Sequence, residues 1–289
     1  MLRGLYTAAA GMISQQNRHD TVTNNIANMN TPGYKQKYAV THSFPDMLLH
    51  LTGSQDVDNG KSIGKLNTGV FAEESLQVNL QGDLMQTNQF SDFAIVSDIG
   101  VPGVNFDSSG KAVAANGALI FQPQAFFTVQ NANGETRYTR DGQFKLDEQG
   151  YLTLPDGSRV LAADGNPFRI PAGVTLNDLT LTSDNQLLNP LTGASAGQLL
   201  LTRVDNPNDL IREGDGKFKL ADGEEAAARP INAQDRVEVR QGFVERSNVD
   251  ASQSMVDLMS AARAYEANQK VIQFYDKSLD KAVNEIGRI

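Results

Sequence analysis

Residues 251–286 read ASQSMVDLMSAARAYEANQKVIQFYDKSLDKAVNEI and contain neither proline nor glycine. Apolar side chains recur in this segment at alternating spacings of four and three residues, the repeat of a helix that packs along one stripe. A helix from Ser252, its predicted N-cap, to Ile286 would be about 50 Å long. The predicted stripe comprises Ala251, Met255, Leu258, Ala262, Tyr265, Gln269, Ile272, Asp276, Leu279, Val283 and Ile286.

The segment that can pack on this stripe lies at the other end of the chain. Leu2, Leu5 and Met12 follow the same spacing, and the register continues to Ile26 before Thr31-Pro32-Gly33 ends the helix. A self-contained helical hairpin would satisfy part of the C-terminal stripe. Because that stripe is longer than the N-terminal helix can cover, we expect the remaining apolar surface to pair with other subunits.

The middle of the chain consists of short alternating runs separated by turn-forming residues. Glycine-containing pairs such as Asn133-Gly134, Asp141-Gly142 and Asp156-Gly157 separate short alternating runs, which is a strong hairpin signal. The sequence therefore predicts an α+β protein, with a discontinuous coiled-coil helical domain from both termini and an irregular mainly-β domain between them. The predicted segments are an N-terminal assembly helix at 1–35, an extended linker or arm at 36–70, a β-rich domain at 71–242 with a loop or insertion at 97–124, and a C-terminal assembly helix at 243–289.

Composition narrows the possible functions. The net charge of -9 and pI near 4.9 argue against a nucleic-acid binder, which needs a basic face to displace counterions from phosphates. The absence of cysteine excludes disulfides, thiolate nucleophiles and cysteine-based zinc sites. The N-terminal apolar run is too short for a cleaved signal peptide, and no run approaches the ~20 apolar residues of a membrane span.

The sequence offers weak candidates for catalysis or metal binding. The three histidines, His19, His42 and His50, lack the spacing of a helical zinc site. The acidic pairs Glu73-Glu74 and Glu224-Glu225 suggest a glycosidase, but neighbouring carboxylates on a strand point to opposite faces, which favours solvated surface. We therefore expect no catalytic residue, no metal, no cofactor and no small-molecule substrate.

Both ends and part of the middle resemble the flagellar basal-body rod and hook protein family. The segments that carry the resemblance are Asn24-Asn25-Ile26-Ala27-Asn28 with Asn30-Thr31-Pro32-Gly33-Tyr34-Lys35, Tyr138-Thr139-Arg140-Asp141-Gly142-Gln143-Phe144, and Gln241–Asp250 leading into Met255–Met259 and Arg263–Asn268. The order and separation of these segments are specific to this family. Within the family, the chain most resembles distal-rod-like proteins and the Bacillus-type hook-basal body proteins. Two features depart from the family pattern: Ala125 replaces a usual glycine, and residues 97–124 form a longer stretch than expected.

The resemblance implies a structural subunit of the basal body that polymerises outside the cytoplasmic membrane into a hollow, torque-transmitting shaft. It implies self-assembly, contacts with other axial proteins, and export through the flagellar type III apparatus without a cleaved signal peptide. The residues expected at assembly interfaces are Leu2, Leu5, Met12, Asn24, Asn25, Ile26, Asn28, Met255, Leu258, Ala262, Tyr265, Ile272, Leu279 and Val283.

Two other functions remain open from the residues alone. An extracellular β-rich adhesin or phage-tail-like fibre protein would also combine β structure with a coiled-coil end. A wall-degrading enzyme is the third alternative, because a shaft that crosses the cell wall needs gaps in peptidoglycan.

Overall fold

The computed structural model describes residues 2–50, 62–107, 110–114, 117–221, 223, 227–232 and 234–286. It confirms an α+β fold with a helix near each end and a mainly β middle, whereas the coiled-coil supertwist stays a prediction. The chain divides into two compact units. The first contains Met1–Ala27, Lys37–Leu76 and Asp250–Ile289, and the second contains Asn28–Gln36 and Gln77–Val249.

The helices are α1 (Leu2–Ala27) and α2 (Ala251–Lys281), and α2 continues into a π-helical turn at Ala282–Ile286. The strands are β1 (Lys37–Tyr38), β2 (Thr41–Ser43), β3 (Met47–His50), β4 (Ser62–Leu66), β5 (Val70–Ala72), β6 (Leu76–Gln77), β7 (Leu84–Gln86), β8 (Phe93–Ser97), β9 (Lys111–Val113), β10 (Leu119–Phe121), β11 (Gln124–Gln130), β12 (Thr136–Thr139), β13 (Lys145–Leu146), β14 (Leu152–Thr153), β15 (Arg159–Val160), β16 (Thr180–Leu181), β17 (Gln186–Leu188), β18 (Ser195–Gln198), β19 (Leu201–Val204), β20 (Leu210–Gly214), β21 (Lys217–Leu220), β22 (Ala228–Pro230), β23 (Val237–Gln241) and β24 (Phe243–Glu245).

The first unit combines the two helices with a ribbon of short strands. The N-cap of α2 is Asp250, whose side chain accepts a hydrogen bond from the amide of Gln253, so the prediction of Ser252 as the cap is wrong. Strand β2 pairs with β5 and β3 pairs with β4, both antiparallel. The hydroxyl of Thr7 in α1 donates to the carbonyl of Thr68, which ties this ribbon to the helix.

The second unit is built around a nine-stranded antiparallel sheet in which β11 is central. Strand β11 is buried on both faces, so its residues do not alternate between buried and exposed. Phe127 packs in the larger core with Phe93 and Phe144, whereas Phe126 packs in a separate core with Phe218. The adjacent aromatic pair thus belongs to two cores, because successive strand side chains point to opposite faces.

Several predicted hairpins are confirmed. Asn133-Gly134 connects β11 to β12, and Asp156-Gly157 connects β14 to β15. Asp141-Gly142 does not close a hairpin, because β12 pairs with β11 and β21 while β13 pairs with β14. Gly142 instead approaches Phe93 so closely that an added Cβ would lie 1.7 Å from the Phe93 carbonyl oxygen.

The segments flanking these elements contain more structure than the sequence predicted. Strands β1 to β5 occupy much of the predicted linker at 36–70, of which residues 51–61 lie outside the described part of the chain. The predicted insertion at 97–124 contains an antiparallel hairpin of β9 and β10. Residues 28–35 and 243–250 of the predicted assembly segments lie outside the helices. Within the described residues, neither helix is long and apolar enough to cross a bilayer.

Candidate assembly interface

The two terminal helices pack against each other within the first unit. The face of α2 that is shielded from solvent again follows a repeat of four and three residues, through Ser254, Leu258, Ala261, Tyr265, Asn268, Ile272, Tyr275 and Leu279. Small residues of α1 allow the close approach. A Cβ added to Gly4 would lie 2.0 Å from Tyr275 Oη, and one added to Gly11 would lie 3.1 Å from Asn268 Nδ2.

The positions of α2 that are shielded from solvent agree with only half of the predicted stripe. Leu258, Tyr265, Ile272 and Leu279 belong to both, but the alternate positions lie one residue earlier than the sequence predicted. Ser254 and Ala261 are buried, whereas the predicted Met255 is 52% exposed. Side-chain polarity alone does not distinguish these registers, because the alternate positions of each include two polar residues: Ser254 and Asn268 in the observed stripe, and Gln269 and Asp276 in the predicted one.

Polar contacts also join elements of the first unit. The guanidinium of Arg18 in α1 forms an ion pair with Asp257 in α2, with an N–O distance of 3.0 Å. The buried Asn25 donates from Nδ2 to the carbonyl of Lys37 at 2.8 Å, and its Oδ1 accepts from the Lys37 amide at 3.0 Å. Asn25 therefore holds the start of the strand ribbon against the end of α1.

A second set of apolar side chains on α2 lies exposed on the side away from α1. We call these residues the outer stripe: Val256, Met259, Val271 and Phe274. At 3.6 residues per turn they share one arc, roughly opposite the face that packs on α1. Phe274 is 71% exposed, an unusual solvent exposure for a phenylalanine. On α1, Tyr6 and Ile13 are exposed as well.

The residues predicted for assembly occupy different environments. The half-buried ones are Leu5, Met12, Ile26, Asn28, Leu258, Ala262, Tyr265, Ile272 and Leu279. Asn24, Met255 and Val283 are exposed, Asn25 is buried, and Leu2 lies in the first turn of α1. Ala262 and Tyr265 line a groove of about 500 Å³ beside the helix pair, together with Gln16, His19 and Gln269. Their role in assembly stays a prediction.

Sequence reasoning missed the outer stripe. Its members do not follow one regular repeat, and they fall between positions assigned to the predicted stripe. A signal was nevertheless present, since Val256 and Met259 lie three residues apart, as do Val271 and Phe274. A second apolar arc on a helix that already has a packed face indicates an additional partner.

In the second unit, the three family-like segments converge on one buried carboxylate. Glu245 Oε1 lies 2.5 Å from Lys35 Nζ, and Glu245 Oε2 lies 2.9 Å from Arg140 Nε. The amide of Gly82 also donates to Oε1, and the amide of Gly33 donates to the backbone carbonyl of Glu245. All three charged residues lie in the segments that resemble the family, but no pattern in the sequence predicts that they meet.

Burial shapes the protonation of this ionic cluster of Lys35, Arg140 and Glu245. Desolvation lowers the pKa of Lys35 to about 8; the attraction of Glu245 opposes this effect, and the charge of Arg140 adds to it. Burial alone would raise the pKa of Glu245, but the charges of Arg140 and Lys35 outweigh it and hold that pKa below its usual range. The carboxylate of Glu245 thus stays ionised although it is buried, because the charges of Arg140 and Lys35 compensate for its loss of hydration.

Among the described residues, no group of three or more histidine or acidic side chains is arranged to hold a metal ion. The exposed apolar side chains of the two helices offer surfaces on which another protein can pack.

Comparisons with known proteins match these segments. Residues 5–35 match the flagella basal body rod protein family, 120–187 match the flagellar hook protein FlgE/F/G D1 domain, and 240–285 match the flagellar basal body rod FlgEFG protein C-terminal region. The chain is 36% identical over 291 residues to the flagellar hook-basal body complex protein FlhO of Bacillus subtilis, covering 100% of both chains. It is 31% identical to the flagellar basal-body rod protein FlgG of Agrobacterium fabrum (96% of each chain) and 29% identical to that of Borreliella burgdorferi (98% of each).

Proposed function

The chain belongs to the flagellar basal-body rod and hook protein family, and from this premise we propose that it polymerises through its terminal helices into a hollow, torque-transmitting shaft. Members of this family are structural components of the basal body that assemble with other axial proteins. It is not an enzyme family, and we propose that this chain likewise performs no catalysis.

The outer stripe is the observation that carries this proposal. Helix α1 already covers the opposite face of α2, so Val256, Met259, Val271 and Phe274 find no cover within the described part of their own unit. Removing apolar surface from water contributes about 25 cal/mol per Å2, and a standard interface of about 1,600 Å2 supplies enough to offset the cost of ordering. A neighbouring subunit supplies that cover in the assembled shaft.

The groove beside the helix pair supports the same conclusion. Its lining by Gln16, Ala262 and Tyr265 offers a mixed polar and apolar surface of the kind that a third helix can fill. We infer that a neighbour's helix lies there, so that predicted interface residues which are only half-buried in one chain become fully buried in the polymer.

Two further parts of the proposal rest on the family resemblance. We propose that the chain crosses the cytoplasmic membrane through the flagellar type III apparatus, unfolded and without cleavage. The absence of cysteine is compatible with this route, because no thiol can mispair in an oxidising space. The alternative of an adhesin or tail fibre is not favoured, because relatives matched over 96–100% of their length carry rod and hook names.

The proposal is tested by placing a charge on the outer stripe. We expect Phe274→Asp to prevent incorporation of the subunit into basal bodies, because burying an unpaired carboxylate opposes association. Gln273→Asp is the matched control, since it adds the same charge at the adjacent exposed position. Leu258→Asp would also disturb packing on α1 and is therefore less selective.

Incorporation is measured in a strain that carries only the variant, by motility and by detection of the subunit in purified basal bodies. Circular dichroism and thermal unfolding of the purified chain establish that Phe274→Asp still folds. Normal incorporation of a folded Phe274→Asp and Val271→Asp double variant would overturn the proposal.

A further inference from the structure

The outer stripe of α2 carries positive charge as well as apolar side chains. At 3.6 residues per turn, every lysine and arginine of α2 lies within about 60° of Phe274 around the helix axis. These exposed cations are Arg263, Lys270, Lys277 and Lys281. The carboxylates of α2 lie outside this arc, between about 80° and 160° from Phe274, at Asp257, Glu266, Asp276 and Asp280. The face that lies away from α1 is therefore both apolar and basic.

The charge of this face sets a requirement for whatever covers it. None of the four cations takes part in an ion pair among the described residues. A surface that covered the outer stripe without opposite charge would remove water from these cations and give them no counter-charge. A matching surface therefore combines an apolar floor with carboxylates.

The groove beside the helix pair has these properties. Ala262 and Tyr265 are half-buried and form an apolar part of its lining. Asp20 of α1 and Glu266 of α2 add two exposed carboxylates, and no lysine or arginine of the described residues lines the groove. The charge of the groove is thus opposite to that of the outer stripe, and both surfaces belong to the first unit.

One copy cannot bring its own two surfaces together. Phe274 and Ala262 lie on the same helix, about 18 Å apart along its axis and about 120° apart around it. Because a continuous helix holds them at that separation, the outer stripe and the groove of one chain face in different directions. A second copy of the chain has both surfaces and can present either one.

We propose that the outer stripe of one subunit docks into the groove of a second copy of this chain. Phe274 packs on Ala262 and Tyr265 of the neighbour, where one aromatic ring meets another. Lys270 and Lys277, which lie on either side of Phe274 on the same face, reach the two carboxylates of the groove. This inference rests on the proposed function and adds which surface of the neighbour covers the outer stripe.

The contact joins two different surfaces and is therefore heterologous. A docked pair still has one free outer stripe and one free groove, so further copies add until a ring closes or a filament grows. Pairing of two outer stripes with each other would bring the cations of both copies together, which disfavours a closed dimer. Charge thus directs the chain towards an extended polymer.

Cross-linking tests the docking directly, because the chain has no cysteine of its own. A variant with Gln16→Cys in the groove and Ala267→Cys on the arc of the outer stripe is expressed as the only copy in the cell. Purified basal bodies are then treated with a short bis-maleimide cross-linker. We expect a ladder of dimers and larger multimers on a denaturing gel, whereas each single variant stays monomeric.

Exchange of charges gives an independent test at exposed positions. Reversal of the outer stripe in a Lys270→Glu and Lys277→Glu variant is expected to lower incorporation into basal bodies about tenfold, because it places like charges in contact. Reversal of the groove in an Asp20→Lys and Glu266→Lys variant is expected to have the same effect. A chain with all four substitutions again has opposite charges on the two surfaces, and we expect its incorporation to return to within about twofold of the wild type. Circular dichroism of each purified variant establishes that it folds.

The matched control is a Lys145→Glu and Arg236→Glu variant, which reverses two exposed cations of the second unit and is expected to leave incorporation unchanged. Dimers from Ala267→Cys alone, or an incorporated double cysteine variant without a ladder, would contradict the docking. Normal incorporation of either charge-reversed variant would also contradict it, and so would failure of the four substitutions together to restore incorporation. In those cases, loss of incorporation with Phe274→Asp would still support polymerisation through the outer stripe. Normal incorporation of Phe274→Asp would reject that polymerisation as well.

Discussion

Arg140 Nε donates a hydrogen bond to Glu245 Oε2 at 2.9 Å, although the two residues are 105 positions apart in the chain. Both side chains are fully buried, and Lys35 contacts the other carboxylate oxygen. This contact joins the segment that follows α1, the end of β12 and the last strand before α2 within the second unit. The ionic cluster is therefore a structural anchor for the two segments through which the terminal helices enter the β-rich part of the chain.

Removal of the shared carboxylate should strongly destabilise the second unit. We expect Glu245→Gln to lower the free energy of unfolding by about 3–5 kcal/mol, because two buried cations lose their counter-charge. Urea unfolding at pH 7, monitored by circular dichroism, measures the loss. Glu238→Gln is the control, since Glu238 pairs with Arg240 at the exposed surface, where ion pairs contribute little. Equal stability of the two variants would contradict the anchor role.

The stabilisation from Glu245 should depend on pH in the acidic range. The pKa of Glu245 is lower in the folded chain than its usual value of 4.5, so the ionised form is favoured by folding. The stability that it contributes is fully present above pH 4.5 and is lost as the pH falls through the lower, folded-state pKa. The difference in unfolding free energy between the wild type and Glu245→Gln should therefore shrink below pH 4.5. A difference that stays constant down to pH 2 would argue against this cause.

Asp141 should show the opposite pH dependence. Burial, and to a smaller extent the nearby charge of Asp92, raise the pKa of Asp141 to about 6 from 3.8. Its favourable contribution is therefore present below pH 3.8 and is lost as the pH rises through about 6. We expect Asp141→Asn to raise the melting temperature at pH 7.5 and to have little effect at pH 3.5, as measured by differential scanning calorimetry. The amide oxygen can still accept the hydrogen bond from the Gln143 amide. A stabilisation equal at both pH values would show that ionisation is not involved.

Close backbone packing should make Gly142 intolerant of a side chain. An added Cβ would lie 1.7 Å from the Phe93 carbonyl oxygen, and backbone atoms cannot move away as a flexible side chain can. We expect Gly142→Ala to destabilise the chain by at least about 2 kcal/mol in urea unfolding. The matched control is Gly100→Ala, because nothing lies within 4 Å of an added Cβ there. That substitution is expected to be neutral or slightly stabilising.

The sequence alone predicted much of the architecture, because its signals are local. The long segment without proline or glycine around Tyr265 predicted α2, and the glycine pairs at Gly134 and Gly157 predicted hairpins that the structure confirms. The three family-like segments also identified the family, since their order along the chain is visible without any structure. Each of these signals lies within a short stretch of sequence, and only the order of the stretches spans the chain.

Tertiary structure alone decided the relationships between distant residues. In the contact between α2 and α1, Ala261 is buried rather than the predicted Ala262. The four-and-three repeat is compatible with either position, and the close approach of Gly4 to Tyr275 selects the observed register. Likewise, no local pattern marks Lys35 and Glu245 as partners across 210 positions. Their contact exists because the fold brings three segments together in a dry interior, where a carboxylate is stable only beside cations.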